Sequence, residues 1–280
     1  MFIGKYNVTP ENPQVFDSSD TKGLTKFLHE NGYVVVDNVS SKENRDRVVE
    51  LMDDLPREAK RLAFLDLYHD DTLAQLRQDE RLVNVFSNIF KTEDLWVIFD
   101  RVIHQSIDDV SNNELPAHVD QNPLTHPNFC NVQAMLALRD MDETSGTLAI
   151  VPKSSHFFNE YAEWTPSKKA GYVEYGGDRD LSFIALRLKE GQFIIWDSRT
   201  THSRFRLNEP KKSRYAALIS YKPAIDDDQL KKLRRTIYEK GIGHNNHDAG
   251  LRATANPRYP LSLRQNPEIL TELGKKIYNI

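Results

Sequence analysis

Between Leu95 and Tyr221 the chain is a series of short strand-like segments separated by turn signals. Some segments alternate apolar and polar residues, as Phe183–Lys189 does, and others, such as Asn131–Leu138, are almost wholly apolar. Short strands at this spacing, with Gly, Pro and Asn between them, are typical of β-sandwiches and jelly rolls. The sequence therefore predicts a mainly β core over residues 93–222.

Helical periodicity flanks this β region on both sides. It predicts helices over Asp20–Asn31, from a Ser40/Glu43 capping box to Met52, over Leu73–Phe90, over Asp226–Lys240, and from about Pro267 to Tyr278. A strand is predicted at Tyr33–Val36. Because helices can bury the outer face of a sheet, we predict one α+β domain over residues 1–280. Residues 1–92 would form a mostly helical covering layer, and residues 223–280 a helical tail or lid.

Composition excludes several classes of function. The net charge of −4 provides no global positive field for a nucleic acid. The longest apolar runs, such as Leu95–Phe99, are far too short to cross a bilayer, and the N-terminal residues do not resemble a secretory signal, so we expect a cytoplasmic protein. The single cysteine, Cys130, excludes an internal disulfide, and we expect it to be a small buried hydrophobe.

The first chemical signal is the sequence His118-Val119-Asp120. In an extended strand, residues two apart point to the same face, so one imidazole and one carboxylate are directed at one spot. This pair supplies two thirds of the two-histidine, one-carboxylate triad that binds non-haem iron. A His-x-Asp pair is common by chance, and its weight depends on a second histidine from elsewhere in the chain.

Two later residues complete a constellation around this pair. His202 is the best candidate for the second histidine, and Arg214 begins the apolar strand RYAALISY. An arginine at that position is costly to bury without an anion, and its guanidinium is suited to hold a carboxylate by two parallel hydrogen bonds.

In this order, His118-x-Asp120, His202 and Arg214 resemble the signature of the phytanoyl-CoA dioxygenase-like (PhyH) family of Fe(II)/2-oxoglutarate-dependent dioxygenases. The segment 132–156, VQAMLALRDMDETSGTLAIVPKSSH, is similar to that family's strand, acidic turn, Asn/Ser-Gly, strand and Val/Ile-Pro-Gly-Ser-His pattern. It departs from the pattern at Lys153, where the family usually has glycine. The resemblance covers residues 90–222 in motif detail.

The resemblance implies a double-stranded β-helix, the jelly-roll or cupin-like fold, covered by N- and C-terminal helices. It implies Fe(II) held by His118, Asp120 and His202, with 2-oxoglutarate as cosubstrate, its distal carboxylate paired with Arg214, and O2 as oxidant. The expected reaction is hydroxylation of an unactivated C–H bond in a small or medium-sized metabolite, with release of succinate and CO2.

Further residues are expected near the site. Gln133 would point into the barrel near the cosubstrate, His104 would be a polar cosubstrate contact on a neighbouring strand, and Arg204 would share a strand face with His202. Trp196 would wall the pocket. An additional arginine in the mouth would suit an anionic substrate.

Two other readings of the same residues stay open. A cupin-like metalloenzyme that does not use 2-oxoglutarate would keep the metal and make Arg214 structural. A non-catalytic binding module would bind no iron. The sequence fixes neither the substrate nor the oligomeric state, and it assigns no role to the insertion 156–182 or to His244 and His247.

Overall fold

The computed structural model describes residues 1–54, 67, 69–108, 115–239 and 266–280, and the backbone of 244–245 and 252–253. The strands are β1 (Phe2–Ile3), β2 (Tyr6–Glu11), β3 (Val15–Asp17), β4 (Tyr33–Asp37), β5 (Leu95–Ile98), β6 (Val102–Gln105), β7 (His118–Val119), β8 (Val132–Ala137), β9 (Thr147–Ile150), β10 (Val173–Glu174), β11 (Phe183–Leu186), β12 (Phe193–Asp197), β13 (His202–Phe205), β14 (Arg214–Leu218), β15 (Ser220–Pro223), β16 (His244–Asn245) and β17 (Arg252–Ala253). The helices are α1 (Thr21–Asn31), α2 (Lys42–Asp53), α3 (Asp71–Arg77), α4 (Glu80–Phe90), α5 (Asp228–Glu239) and α6 (Glu272–Tyr278), with 3-10 segments at Ser154–Trp164 and Pro267–Ile269.

Two large sheets form the β core. One has the strand order β1-β2-β11-β9-β13-β7-β10, and the other β3-β4-β12-β8-β14-β6. Their facing sides share one apolar cluster, to which β9 contributes Ile150 and the other sheet contributes Met135 and Ile194. Side chains that alternate along each strand therefore point either into this interior or away from it. The predicted α+β fold with a mainly β core is confirmed.

The helices cover the outer face of the six-stranded sheet. The largest core cluster joins Leu28 of α1, Phe86 of α4 and Ile277 of α6 to outward-facing residues such as Leu136 and Ile195. This sheet is thus buried on both faces, which explains the almost wholly apolar sequence of β8 and β12. Residues 1–92 form more than a covering layer, because β1–β4 also pair with the two sheets.

Several predicted element boundaries were wrong. The helix predicted over Leu73–Phe90 is two helices, because Asp79 accepts a hydrogen bond from the backbone N–H of Arg81 and so begins a new helix. Ser41, not Ser40, caps α2 by accepting from the backbone N–H of Asn44.

The long strand predicted from Leu95 to Ile107 is also divided. Its first part, β5, pairs with β15, and its second part, β6, pairs with β14. The interruption contains Asp100, whose backbone carbonyl accepts a hydrogen bond from the buried guanidinium of Arg77 at 2.6 Å. The predicted helix from Pro267 is a 3-10 turn followed by α6, and most of the segment 57–70 lies outside the described residues.

The end of α1 is fixed against the loop that precedes β13. Gly32 adopts a φ of +78° after the last turn, and its backbone carbonyl accepts a hydrogen bond from Thr200 Oγ1 at 2.8 Å. A Cβ at this position would lie 2.4 Å from the same Oγ1 atom, so the position requires glycine for its φ and for its space. This contact holds the backbone two residues before His202.

Candidate metal and cosubstrate site

The structure brings His118, Asp120 and His202 together. His118 lies on β7 and pairs directly with His202 on β13, while Asp120 follows β7 and donates its backbone N–H to Ser198 O at 3.1 Å. One ligand atom from each of the three side chains lies within 4.8 Å of the others, a spacing that can hold a metal ion. His118 and His202 are each only 4% exposed, so these ligands are largely shielded from solvent.

Backbone carbonyls set the tautomer of both imidazoles. His118 Nδ1 lies 2.8 Å from Pro116 O, and His202 Nδ1 lies 2.9 Å from Thr200 O. A carbonyl oxygen can only accept, so each Nδ1 carries a proton and Nε2 is the ring nitrogen left to bind a metal ion. Both Nε2 atoms face Asp120, at 3.9 Å from Oδ1 for His118 and 3.2 Å from Oδ2 for His202. The donor set therefore fits a divalent metal of the iron or zinc type.

Gln133 holds the carboxylate of Asp120. Gln133 lies on the inward face of β8, and its Nε2 donates a hydrogen bond to Asp120 Oδ2 over 2.5 Å. Gln133 was predicted as a cosubstrate contact; it points into the barrel, where its contact is with a candidate metal ligand. A hydrogen-bonded ligand of this kind is held in one orientation before the metal arrives.

Arg214 lies deeper in the barrel, on the same inward face as Ala216. It is 4% exposed, its Nη2 contacts Met135 Sδ at 3.0 Å, and its Nε has no hydrogen-bond partner among the described residues. No carboxylate in the described part of the chain forms an ion pair with it. Burial lowers the pKa of Arg214 from 12.5 to about 9, and the positive charges of Arg204 and Arg206 add to this effect. A buried cation without an acid is suited to bind an anion.

Gly146 lies beside this cationic group in a backbone conformation that favours glycine. Its φ is +103°, and a Cβ there would lie 3.4 Å from side-chain atoms of Arg206, Arg214 and Gln105. Gln105 was not predicted as a site residue, yet it pairs with Arg214 across β6 and β14, and its buried Oε1 has no partner in the described ranges. Arg204 follows His202 by two residues on β13, as predicted, and its charge acts on Arg214.

His104 was predicted as a cosubstrate contact, and the structure places it elsewhere. Its ring lies 4.4 Å from that of Tyr215, whose hydroxyl donates to Asp53 on α2. His104 therefore faces the helical layer, while its neighbours Ile103 and Gln105 face the barrel interior. Alternation of side chains along β6 is the reason.

Aromatic rings enclose the metal ligands. The ring of Tyr172, in the insertion 156–182, lies 4.5 Å from that of His118, and the ring of Trp196 lies 5.5 Å from that of His202. The Nε1 of Trp196 is buried without a hydrogen-bond partner among the residues that the structure describes. Burial, with Glu174 nearby, raises the pKa of Tyr172 above its ordinary value of 10, so this hydroxyl stays protonated at neutral pH.

A cavity of about 290 Å³ opens beside Asp120. Its wall includes the following residues: Ile98, Asp120, Gln121, Asn122, Thr125, His126, Cys130, Asn131, Ala170, Ser198, Lys222, Pro223 and Ile225. Cys130 is exposed at this wall and its Sγ lies 3.2 Å from Gln121 Oε1, so the expectation that it is buried was wrong. For the C-terminal histidines, only the backbone of His244, in β16, is described, and His247 lies outside the described residues.

The family model for Phytanoyl-CoA dioxygenase (PhyH) matches residues 28–206, which is more than half of the chain and includes all three proposed ligands. The chain belongs to the phytanoyl-CoA dioxygenase family. Arg214 lies beyond the matched span.

No helix within the described ranges is long and apolar enough to span a membrane.

The curated relative that the chain matches is distant. "Ava biosynthesis cluster protein O" of Aspergillus versicolor is 27% identical over 160 residues, which are 50% of this chain and 50% of that protein. The chain thus spans about half the length of the curated relative that it matches.

Solved structures share the fold. A hypothetical protein, JW0805 of Escherichia coli, has a TM-score of 0.70 at 15% identity, covering 95% of this chain and 85% of its own. GlcNAc Inducible Gene 2 of Candida albicans has a TM-score of 0.66 at 14% identity, over 83% of this chain and 71% of its own. The epimerase SnoN, in complex with Fe3+, alpha ketoglutarate and nogalamycin RO, has a TM-score of 0.55 at 15% identity, over 74% and 85%.

Proposed function

We propose that this protein of the phytanoyl-CoA dioxygenase family is a hydroxylase that uses Fe(II), 2-oxoglutarate and O2 to oxidise an unactivated C–H bond of a small metabolite. The observation that carries the proposal is the pairing of two features in one barrel. His118, Asp120 and His202 converge on one point, and Arg214 is buried farther inside without a carboxylate. A metal site alone would leave this buried cation unexplained.

Residues at one end of the site would bind the metal, and a residue at the other end would bind the cosubstrate. His118, Asp120 and His202 would hold the iron at one face and leave its other positions open. Arg214 would bind the distal carboxylate of 2-oxoglutarate by charge-assisted hydrogen bonds, which are strongest where water is excluded. When bound, iron and cosubstrate supply the oxidising chemistry, with release of succinate and CO2. The protein supplies orientation and a dry interior.

Gln133 and the backbone carbonyls keep the ligands ready for the metal. Gln133 fixes Asp120, and Pro116 and Thr200 fix the imidazoles, so little side-chain reorganisation accompanies metal binding. The buried side chains of Met135, Ile150 and others line the interior behind the metal and exclude water from it.

A turnover assay tests the proposal. The purified protein, loaded with Fe(II) without oxygen, is exposed to O2 and 2-oxoglutarate with a panel of metabolites, and succinate is measured together with oxygenated product. We expect slow succinate formation without substrate and faster formation with the right one. Asp120→Ala and His202→Ala should abolish it. His156→Ala is the matched control, because His156 is exposed and outside the metal cluster.

The outcomes separate the alternatives. Iron binding with no binding or consumption of 2-oxoglutarate would favour the cupin-like metalloenzyme. No uptake of metal by the wild-type protein would favour a binding module. Succinate formation with a desaturated or epimerised product, in place of a hydroxylated one, would keep the cofactors and replace the reaction.

A further inference from the structure

The cavity beside Asp120 lies on the other side of the metal ligands from Arg214. Inward positions along β8 give the order: Met135 contacts Arg214, Gln133 contacts Asp120, and Asn131, just before the strand, lines the cavity. Successive inward positions in a strand are about 7 Å apart. The cosubstrate end, the metal ligands and the cavity therefore follow one another along a single strand.

Most polar groups of the cavity wall already have structural partners. Gln121 Nε2 donates to the carbonyls of His126 and Asn128, at 2.6 and 2.7 Å. Asn122 Nδ2 donates to Ser167 O and Ala170 O, both at 2.8 Å. These two amides hold the surrounding loops, and their donors are used in doing so.

Three groups at the wall are left without partners in the part of the chain that the structure describes. Ser198 Oγ and Asn131 Oδ1 are buried and make no hydrogen bond. The side chain of Lys222 forms no ion pair or hydrogen bond with the described residues, although Asp120 lines the same cavity. Buried polar groups in folded proteins are nearly always satisfied, so the two buried oxygens of Ser198 and Asn131 at one cavity indicate a ligand.

Lys222 has the surroundings of a binding group. It lies on β15 opposite Trp96 of β5, and it is half-buried. Behind Trp96, the guanidinium of Arg234 stacks on the indole ring at 4.8 Å. Burial lowers the pKa of Lys222 to about 8, and the charge of Arg234 adds to the effect. Asp120 is the acid among the residues that line the cavity, and it is held by Gln133 among the candidate metal ligands, so Lys222 is the cation placed to meet an anion at this wall.

We propose, as an inference that rests on the function proposed above, that this cavity binds the primary substrate and that the substrate is a small carboxylic acid. Lys222 binds the carboxylate, Asn131 Oδ1 accepts from an N–H or O–H of the same molecule, and Ser198 Oγ binds a second polar atom. Ile98, Pro223 and Ile225 contact the apolar part of the substrate. A volume of about 290 Å³ is near the lower end for small-molecule sites, which sets the size class.

Paired probes test the inference. N-acetylglycine carries a carboxylate and an N–H, and its primary amide replaces the carboxylate with a neutral group of nearly the same size. Binding of each is measured by calorimetry with Mn(II) in place of iron and saturating 2-oxoglutarate, so that Arg214 is already occupied, and again with the metal-free protein. We expect the acid to bind the wild-type protein more tightly than the amide does.

Three variants complete the test. Lys222→Met should weaken binding of the acid about tenfold or more and should leave the amide nearly unaffected, since one charge-assisted hydrogen bond is lost. Lys222→Arg should restore much of the preference for the acid. Lys26→Met, on the exposed surface of α1, is the matched control. Melting temperatures check that each variant is folded.

Equal binding of acid and amide by the wild-type protein, or of the acid by wild type and Lys222→Met, would overturn the inference. Its failure is distinct from failure of the proposed function, because binding of Mn(II) and 2-oxoglutarate is measured in the same titrations. If those two bind and the acid does not, only the substrate class is wrong. If the acid binds through Lys222 and those two do not, the cavity stands and the proposed oxygenase is wrong.

Discussion

Replacing Arg214 with methionine should raise the free energy of unfolding of the ligand-free protein. It should also abolish the further increase that 2-oxoglutarate produces in the wild-type protein. Methionine has a similar length and fits beside Met135, which Arg214 now contacts. The change from an ordinary pKa of 12.5 to about 9 corresponds to roughly 5 kcal/mol against the charged form in the folded protein. This penalty applies in full at pH 7, below both values, and fades as the pH rises through 9.

The free energy of unfolding should rise by only part of that penalty, because the methionine variant loses the remaining contacts of the guanidinium. We expect the free energy of unfolding without ligands to rise by about 1–3 kcal/mol, as when other buried charges are replaced by apolar residues. In the wild-type protein, 2-oxoglutarate at about 100 times its dissociation constant should add about 2.7 kcal/mol. The variant should lose this increment.

Chemical denaturation of the Mn(II) protein at pH 7, with and without 2-oxoglutarate, measures both quantities. Arg187→Met is the matched control, because Arg187 is exposed and pairs with Glu143. It should cost at most about 1 kcal/mol and leave the effect of 2-oxoglutarate intact. A less stable Arg214→Met protein that still responds to 2-oxoglutarate would refute the reasoning and make Arg214 a structural residue.

Three further substitutions test the scaffold. Gly32→Ala should lower the free energy of unfolding by about 2 kcal/mol and weaken metal binding, because its Cβ would meet Thr200 Oγ1, beside the carbonyl that orients the second imidazole; unchanged metal titrations would contradict this. Lys153→Gly should raise it by up to about 1 kcal/mol in denaturation curves, since Lys153 has a φ of +63°, and a loss would be the contrary result. Glu143→Gln should make the free energy of unfolding fall less steeply below about pH 4.5. The hydrogen bond from Arg187 holds the pKa of Glu143 below its ordinary value, so the carboxylate stabilises the folded protein above that value and stops doing so as the pH falls. A pH profile as steep as that of the wild-type protein would count against this prediction.

The convergence of the candidate metal ligands could be predicted because the sequence carries their order and chemistry. His118 and Asp120 are two residues apart, and the family resemblance pointed to His202 and Arg214. Asp120 in fact follows β7 and does not lie within it, but the pair still converges. Residue type and order were sufficient at these positions, since geometry follows once the fold is that of the family.

The residues around the cosubstrate could not be placed in the same way. His104 and Gln105 are adjacent, and which of them faces inward depends on the phase of β6. The interruption between Ile98 and Val102 resets that phase, and no residue pattern marks it clearly. A strand assumed continuous from Leu95 gives no reliable direction for a side chain beyond the break.

The cavity could not be predicted from the sequence either. Lys222 and Ser198 are separated along the chain and belong to segments that meet only because β15 leaves the main sheet to pair with β5. Each residue alone is ordinary on a protein surface. What distinguishes them is the lack of a partner where they are placed, and that is a property of the packed structure.

The segment Gly146–His156 carries part of the family resemblance, and in the structure it also sets the register of β13. Its strand β9 pairs with β13 at four positions, from His202 opposite Ile150 to Phe205 opposite Thr147. Pairing of β13 with β7, by contrast, rests on the two histidines alone. The long ladder to β9 therefore fixes the register that places His202 beside His118. A slip of one residue would turn His202 outward and bring Ser203 to the metal, so a site that depends on three side chains also depends on this strand.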